Sequence, residues 1–171
     1  MPIKTQKLLS YVAPIMFFMT SAATVYTAPN NMVIAGGIGL AASAATAFMA
    51  TAVKSTTDKV SKLIPAFALA ANIPLTINGI ILGVQGVEVG NYNMVLAGGL
   101  LALANSVFYG ISNVRGLKNN IKPIVHAKQS MFAGISIAGA GAVIADPTLL
   151  AIGAGFFAEA AMRFKSNTLA L

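Results

Sequence analysis

Apolar runs long enough to cross a lipid bilayer occupy most of this chain, and they limit its fold more than any other feature. About 20 apolar residues span the hydrocarbon of a membrane. The chain of 171 residues is 57% hydrophobic and 9% charged, whereas soluble domains carry about a quarter charged residues. The sequence therefore predicts one all-α integral membrane domain over residues 1–171, without room for a separate soluble domain.

Short polar breaks divide the apolar runs into six predicted transmembrane helices. We expect three helical hairpins over residues 8–53, 63–114 and 129–162, joined by basic loops over 54–62 and 115–128. The first run follows Lys4 and Lys7, as the apolar part of a signal peptide would. We interpret it instead as a retained first span.

The basic residues set the predicted orientation. In a six-span topology every Lys and Arg falls on one side of the membrane, whereas Glu88 and Asp146 fall on the other. Cytoplasmic loops are enriched in Lys and Arg, so both termini and both basic loops are predicted in the cytoplasm. The protein is expected in a bacterial inner membrane, and this placement argues against nucleic acid as its partner despite a net charge of +7. The basic residues are Lys4, Lys7, Lys54, Lys59, Lys62, Arg115, Lys118, Lys122, Lys128, Arg163 and Lys165.

A short sequence echo indicates internal duplication. Residues 31–38 read NMVIAGGI, and residues 93–100 read NMVLAGGL. Both copies run from the outer face inward, which predicts that the first two hairpins are parallel repeats. Residues 150–155 are a weaker echo of the same motif. Whether the third hairpin belongs to the repeat therefore stays open.

Small residues four positions apart recur along the predicted spans. Such spacing lets helix backbones approach closely in lipid. It fits packing within one chain, and it also fits a homo-oligomer interface. The pairs are Gly37 and Ala41, Gly39 and Ser43, Gly98 and Ala102, Ala138 and Ala142, and Ala151 and Gly155.

Polar residues in the third and fourth spans form the predicted substrate site. Pro74 lacks an N–H and leaves a backbone carbonyl without its helical partner near mid-membrane. Uncharged amides and a hydroxyl nearby suit a small polar solute or ion. A kinked helix whose polar groups bond neighbouring helices is the other interpretation. The predicted site comprises Asn72, Pro74, Thr76, Asn78 and Asn105.

Glu159 is the one ionisable side chain predicted within a span, and such residues are functional candidates. Arg163 follows at i+4, which predicts an ion pair near the cytoplasmic surface. A proton or cation site at Glu159 is the alternative. His126 is predicted to be a solvated loop residue.

Several chemistries are excluded by what the sequence lacks. With no cysteine, one histidine and four acidic residues, no disulfide, thiolate metal site or familiar acid–base site can form, so we predict neither catalysis nor a cofactor. Apolar residues such as Leu117 and Ile124 alternate with basic ones in the loop 115–128. This pattern fits contact with anionic lipid headgroups, and it fits a solvated loop equally well.

The order of elements from Met32 to Val114 resembles the three-helix unit of the PQ-loop sugar transporters, the SWEET and SemiSWEET families. It comprises an apolar helix, a basic loop, a helix with Pro and Asn, and a final apolar helix. The family's Pro-Gln pair is absent where the second span ends, at Phe48–Thr51, so no site residues are carried over. Two functions remain: a small transporter or channel, or a non-catalytic structural or accessory subunit of a larger membrane complex.

Overall fold

The computed structural model describes residues 2–53, 58–118 and 121–169, and within these ranges every regular element is a helix. The all-helical prediction is confirmed. Lys54 and the rest of 54–57 in the first predicted basic loop lie outside the described residues. The helices are α1 (Pro2–Tyr26), α2 (Asn31–Val53), α3 (Asp58–Glu88), α4 (Tyr92–Leu103), a π-helical segment (Ala104–Gly110), α5 (Ile111–Leu117), α6 (Pro123–Val143) and α7 (Pro147–Thr168).

Four helices in the described part of the chain are long and apolar enough to cross a membrane. The fourth of them joins α4, the π-helical segment and α5 into one rod. The helices α6 and α7 are not among the four, because polar residues lower their hydropathy at one end of each. The four candidate spans are Lys4–Tyr26, Asn31–Ala52, Lys62–Glu88 and Tyr92–Leu117.

The helices form a closed ring. Each packs against the next along the chain, the rod from α4 to α5 packs against α6, and α7 returns to α1. The hydroxyl of Ser166 in α7 donates to the backbone oxygen of Gln6 in α1, at 3.4 Å. The ring surrounds one core, to which every helix except the short α5 contributes. The core residues are Phe17, Leu40, Ala44, Ala71, Ala97, Leu101, Ala104, Tyr109, Ala133, Ile137, Ala140, Ile152 and Phe156.

The second and third hairpins turn in the same way. The backbone N–H of Asn91 donates to the oxygen of Gly86, and that of Asp146 to the oxygen of Gly141, each at 2.8 Å. The residue before each, Gly90 or Ala145, has a positive φ, as in a Schellman motif. Asn91 and Asp146 then cap the following helix with their side-chain oxygens, which satisfies N–H groups that have no partner within the helix.

The first hairpin turns differently, through Pro29. Here the side-chain oxygen of Asn30 accepts from the backbone N–H groups of Met32 and Val33, at 3.0 and 3.1 Å. The sequence echo pairs Asn31 with Asn93, yet the capping residues are Asn30 and Asn91. The two helix starts are therefore one residue out of register with the echo.

Helix α1 satisfies its own buried hydroxyls. Thr20, Ser21 and Thr24 are buried, and each donates to the backbone oxygen four residues earlier. The oxygens belong to Met16, Phe17 and Thr20, at 2.9, 2.7 and 2.9 Å. The polar face of α1 therefore needs no partner helix for its hydrogen bonds.

Glycines bring neighbouring helices into backbone contact. A Cβ added at Gly153 in α7 would lie 2.1 Å from the backbone nitrogen of Ala138 in α6, and one at Gly98 would lie 2.4 Å from the nitrogen of Gly83 in α3. The predicted small-residue faces thus include residues used for packing within the chain. A homo-oligomer interface stays a prediction.

One difference from the sequence predictions concerns a proline. The predicted loop 115–128 is largely helical, because α5 continues to Leu117 and α6 begins at Pro123. Proline is favoured at the first helical position, where its missing N–H is not needed. In contrast, α3 runs without interruption through Pro65 and Pro74.

Candidate functional site

A central cavity of about 370 Å³ lies inside the ring, in the half that carries the basic residues. Much of its polar wall consists of three pairs of residues at i and i+4, which share one face of a helical rod: one pair from the rod that joins the π-helical segment to α5, one from α6 and one from α7. Other wall residues come from α1, α2 and α3. The polar pairs are Tyr109 and Asn113, His126 and Ser130, and Glu159 and Arg163.

The charged pair of the central cavity joins a buried carboxylate to a partly exposed guanidinium. An Nη2–H group of Arg163 donates to Oε1 of Glu159, so the predicted ion pair is confirmed. The Glu159 side chain is 1% exposed and that of Arg163 is 29% exposed, and the guanidinium lies 5.8 Å from the centre of the Phe17 ring. The pair is therefore held inside the bundle, where an unpaired carboxylate would be costly.

The prediction of a solvated loop for His126 is wrong. His126 lies in the first turns of α6, is half-buried, and shares a hydrogen bond between its Nδ1 and the hydroxyl of Ser112. The hydroxyl of Ser130 donates to the backbone oxygen of His126 at 3.0 Å. Because α6 begins at Pro123, the histidine ring is directed into the ring of helices and lines the central cavity.

Two buried donors of the central cavity have no partner. The Tyr109 hydroxyl and Asn113 Nδ2 make no hydrogen bond to any described residue, although the two residues are only 5% and 3% exposed. Buried polar atoms are nearly always paired with protein or with water. Both donors are therefore free to bond an acceptor from outside the chain, either water or a solute.

Aromatic rings close the inner end of the cavity. The Phe156 ring packs edge-on against Phe17, with centroids 5.7 Å apart, and against Tyr109, at 6.3 Å. At the other end, the wall includes half-buried residues near the chain termini and the basic residues, such as Ser10 and Asn167. These residues place one end of the cavity wall at the basic end of the bundle.

The predicted substrate site is divided between two places. Asn72, Thr76 and Asn105 line a second cavity, of about 530 Å³, between α3 and the π-helical segment. This lateral groove also includes exposed side chains such as Ile73. The Asn72 side chain is buried and has no described partner, whereas Asn105 donates to the backbone oxygen of Leu101 at 2.9 Å.

The other two residues of the predicted site lie apart from the lateral groove. Oδ1 of Asn78 accepts from Nδ2 of Asn30 at 2.7 Å, which ties α3 to the first hairpin turn. Pro74 lies on α3 outside the lining of the groove. The structure therefore brings together three of the five predicted residues.

Sequence reasoning missed Tyr109, Asn113 and Ser130. The available signal was the i, i+4 spacing of polar residues within apolar helices, the same spacing that predicted the Glu159–Arg163 pair. In the described ranges, no three His, Asp or Glu side chains lie close enough together to hold a metal ion. No family model, curated protein or solved structure matches this chain, so the resemblance to the PQ-loop transporters depends on the order of helices alone.

Proposed function

We propose that the protein is a small transporter or channel, which binds a polar solute or ion in the central cavity between its helices. The observation that carries this proposal is the pair of buried, unpartnered donors on Tyr109 and Asn113. Leaving a buried donor unsatisfied costs about 1–3 kcal/mol. A helical bundle that served only as a scaffold would gain stability from apolar residues at these two positions.

The aromatic closure above the cavity fits a gated pathway. Phe17, Tyr109 and Phe156 separate the cavity from the far end of the ring. Tyr109 belongs to the π-helical segment, and such segments are often found at functional sites. A change from π-helical to α-helical hydrogen bonding in this segment would move Tyr109 and open a path from the cavity to the far end of the ring. The lateral groove, in contrast, is open to the outside of the ring and would face lipid.

The proposed topology has six spans with both termini in the cytoplasm of a bacterial inner membrane. The helices α6 and α7 have 21 and 22 residues, close to the roughly 20 needed to cross the hydrocarbon. They complete the ring between α1 and the rod from α4 to α5, which supports a shared membrane position. We also propose that the first two hairpins are parallel repeats of one another.

Single cysteines in this cysteine-free chain test the topology. We expect Glu88→Cys and Thr148→Cys to react with a membrane-impermeant maleimide added outside intact cells, and Lys118→Cys to react only after permeabilisation. All three residues are exposed. If Thr148→Cys, like Lys118→Cys, reacts only after permeabilisation, the turn of the third hairpin lies on the cytoplasmic side, and this result would contradict six spans.

Removal of the free donors tests the transport proposal. We expect solutes or ions that raise the melting temperature of the purified protein to lose this effect in Tyr109→Phe and Asn113→Ala. Without ligand, Tyr109→Phe should be at least as stable as the wild type, since it removes an unsatisfied buried hydroxyl. The measurement is a thermal-shift screen, followed by uptake into proteoliposomes.

Two amides of the predicted third-span site supply the control for that screen: Asn72 in the lateral groove and Asn78 at the first hairpin turn. The double variant Asn72→Ala/Asn78→Ala removes two amides outside the central cavity and should keep the response to ligand. Loss of the response in this variant alone would move the site to the third span. If no compound stabilises the wild type and it purifies only with another subunit, the function is that of an accessory subunit.

A further inference from the structure

We propose that the central cavity binds a small oxyanion on Arg163 in exchange for Glu159, so that each anion is bound together with one proton. This inference depends on the proposed transport function and specifies the class of substrate. It would make the protein a symporter of a proton with a carboxylate or a similar anion.

The first argument is the charge of the wall. Arg163 is the one permanently charged cation among the described residues that line the central cavity, and Glu159 is the one carboxylate. The two other titratable groups are Tyr109, from the π-helical segment, and His126, from α6. The described wall residues of α1, α2, α3 and α5 carry no titratable group. Arg163 is always protonated and is therefore the natural anchor for an anion.

The second argument is the hydrogen-bonding character of the free groups. The fully buried side-chain atoms without a partner in the described wall are the Tyr109 hydroxyl and the Nδ2 atoms of Asn113 and Asn167. All three can donate. An ionised carboxylate offers only acceptors, so it complements these donors. An ammonium ion would bring donors to donors and would also be repelled by Arg163.

The third argument is charge balance during the exchange. The partly buried guanidinium of Arg163 is balanced by one negative partner. A second anion beside the buried carboxylate of Glu159 would leave an excess negative charge in a site of low dielectric constant. When a proton from the aqueous phase at the basic end binds a carboxylate oxygen of Glu159, that side chain becomes neutral. The anion then takes its place on Arg163. No covalent bond of the anion forms or breaks, and release of both species restores the Glu159–Arg163 pair.

The volume of the cavity sets the size of the anion. About 370 Å³ is available, near the lower end of the roughly 300–1,000 Å³ typical of ligand sites. Lactate and inorganic phosphate are suitable probes, and lactamide is the neutral isostere of lactate. We expect the wild type in detergent to bind lactate or phosphate, but not lactamide. Its affinity should fall by about tenfold per pH unit once Glu159 is ionised in the free protein, because one proton is bound with each anion.

Two variants separate the roles of the pair. Glu159→Gln mimics the protonated acid, so it should bind the anion with the same affinity across a pH series. The double variant Glu159→Gln/Arg163→Met has no buried charge to leave unpaired and should fold without binding the anion. In proteoliposomes with a trapped pH dye, wild-type uptake should acidify the lumen, whereas uptake by Glu159→Gln should not.

The outcomes separate a failure of the oxyanion exchange from a failure of the proposed transport function. If a neutral solute or a cation binds and is transported while neither oxyanion binds, transport stands and the oxyanion exchange is wrong. If the wild type binds the anion equally at every pH, or if His126→Asn and not Glu159→Gln abolishes the pH dependence, the proton is not carried by Glu159 and the exchange is wrong. If nothing binds or moves, both proposals fail.

Discussion

Substitution of Gly153 by alanine should be among the most damaging single changes in this protein. The new Cβ would lie 2.1 Å from the backbone nitrogen of Ala138 and 2.6 Å from its Cα. Backbone atoms cannot rotate aside, so α6 and α7 would have to separate. Overpacking in a well-packed core costs about 1–3 kcal/mol, and we expect at least the upper end here. Thermal unfolding in detergent, followed by circular dichroism, measures the loss.

Gly99 provides the matched control for this substitution. It lies in α4, and a Cβ added there would meet no described atom within 4 Å beyond its own helix backbone. Alanine is favoured over glycine within a helix by about 1 kcal/mol, so Gly99→Ala should leave the melting temperature unchanged or raise it. Equal destabilisation by the two variants would mean that the close approach of α6 and α7 is not what makes Gly153 necessary.

The second large effect is expected at the buried ion pair. Arg163→Met leaves the carboxylate of Glu159, which is 1% exposed, without its partner. Removing one member of a buried pair costs about 3–5 kcal/mol. Glu159→Gln should cost less, because the Arg163 side chain is 29% exposed and can turn towards solvent. The unfolding free energies of both single variants give the comparison.

The double variant completes this test. Glu159→Gln/Arg163→Met carries no unpaired charge, so it should recover most of the stability that Arg163→Met loses. The loss of unfolding free energy in the double variant, minus the sum of the losses in the two single variants, is the coupling energy of the pair. Additive losses would show that Glu159 and Arg163 do not stabilise each other, and they would also remove the basis of the proposed anion exchange.

The helices and the ion pair were predictable because their causes are local. Apolar runs of about 20 residues require regular hydrogen bonding along the chain, and an i, i+4 spacing places Glu159 beside Arg163 on any helix. The loop 115–128 was predicted by the clustering of its basic residues. Pro123, which favours the start of a helix, was the signal against that loop.

The central cavity was not predictable, because its wall joins residues that are distant in the sequence. Tyr109 and Asn113 meet Glu159 only because α7 packs back towards α1 and closes the ring. Closure depends on which faces of six helices fit together, and that is a property of their packing. The predicted site on the third span was chosen from polar residues that are close in sequence, and Asn78 instead contacts the first hairpin turn.

The closed ring also determines the order in which the protein can be completed. Helix α1 leaves the ribosome before its neighbour α7, and about ten seconds of synthesis separate the two at ordinary elongation rates. During this wait the buried hydroxyls of Thr20, Ser21 and Thr24 already bond to oxygens of their own helix. The hydroxyls of helix α1 therefore need no partner from α7, and the ring can close only after α7 has been made.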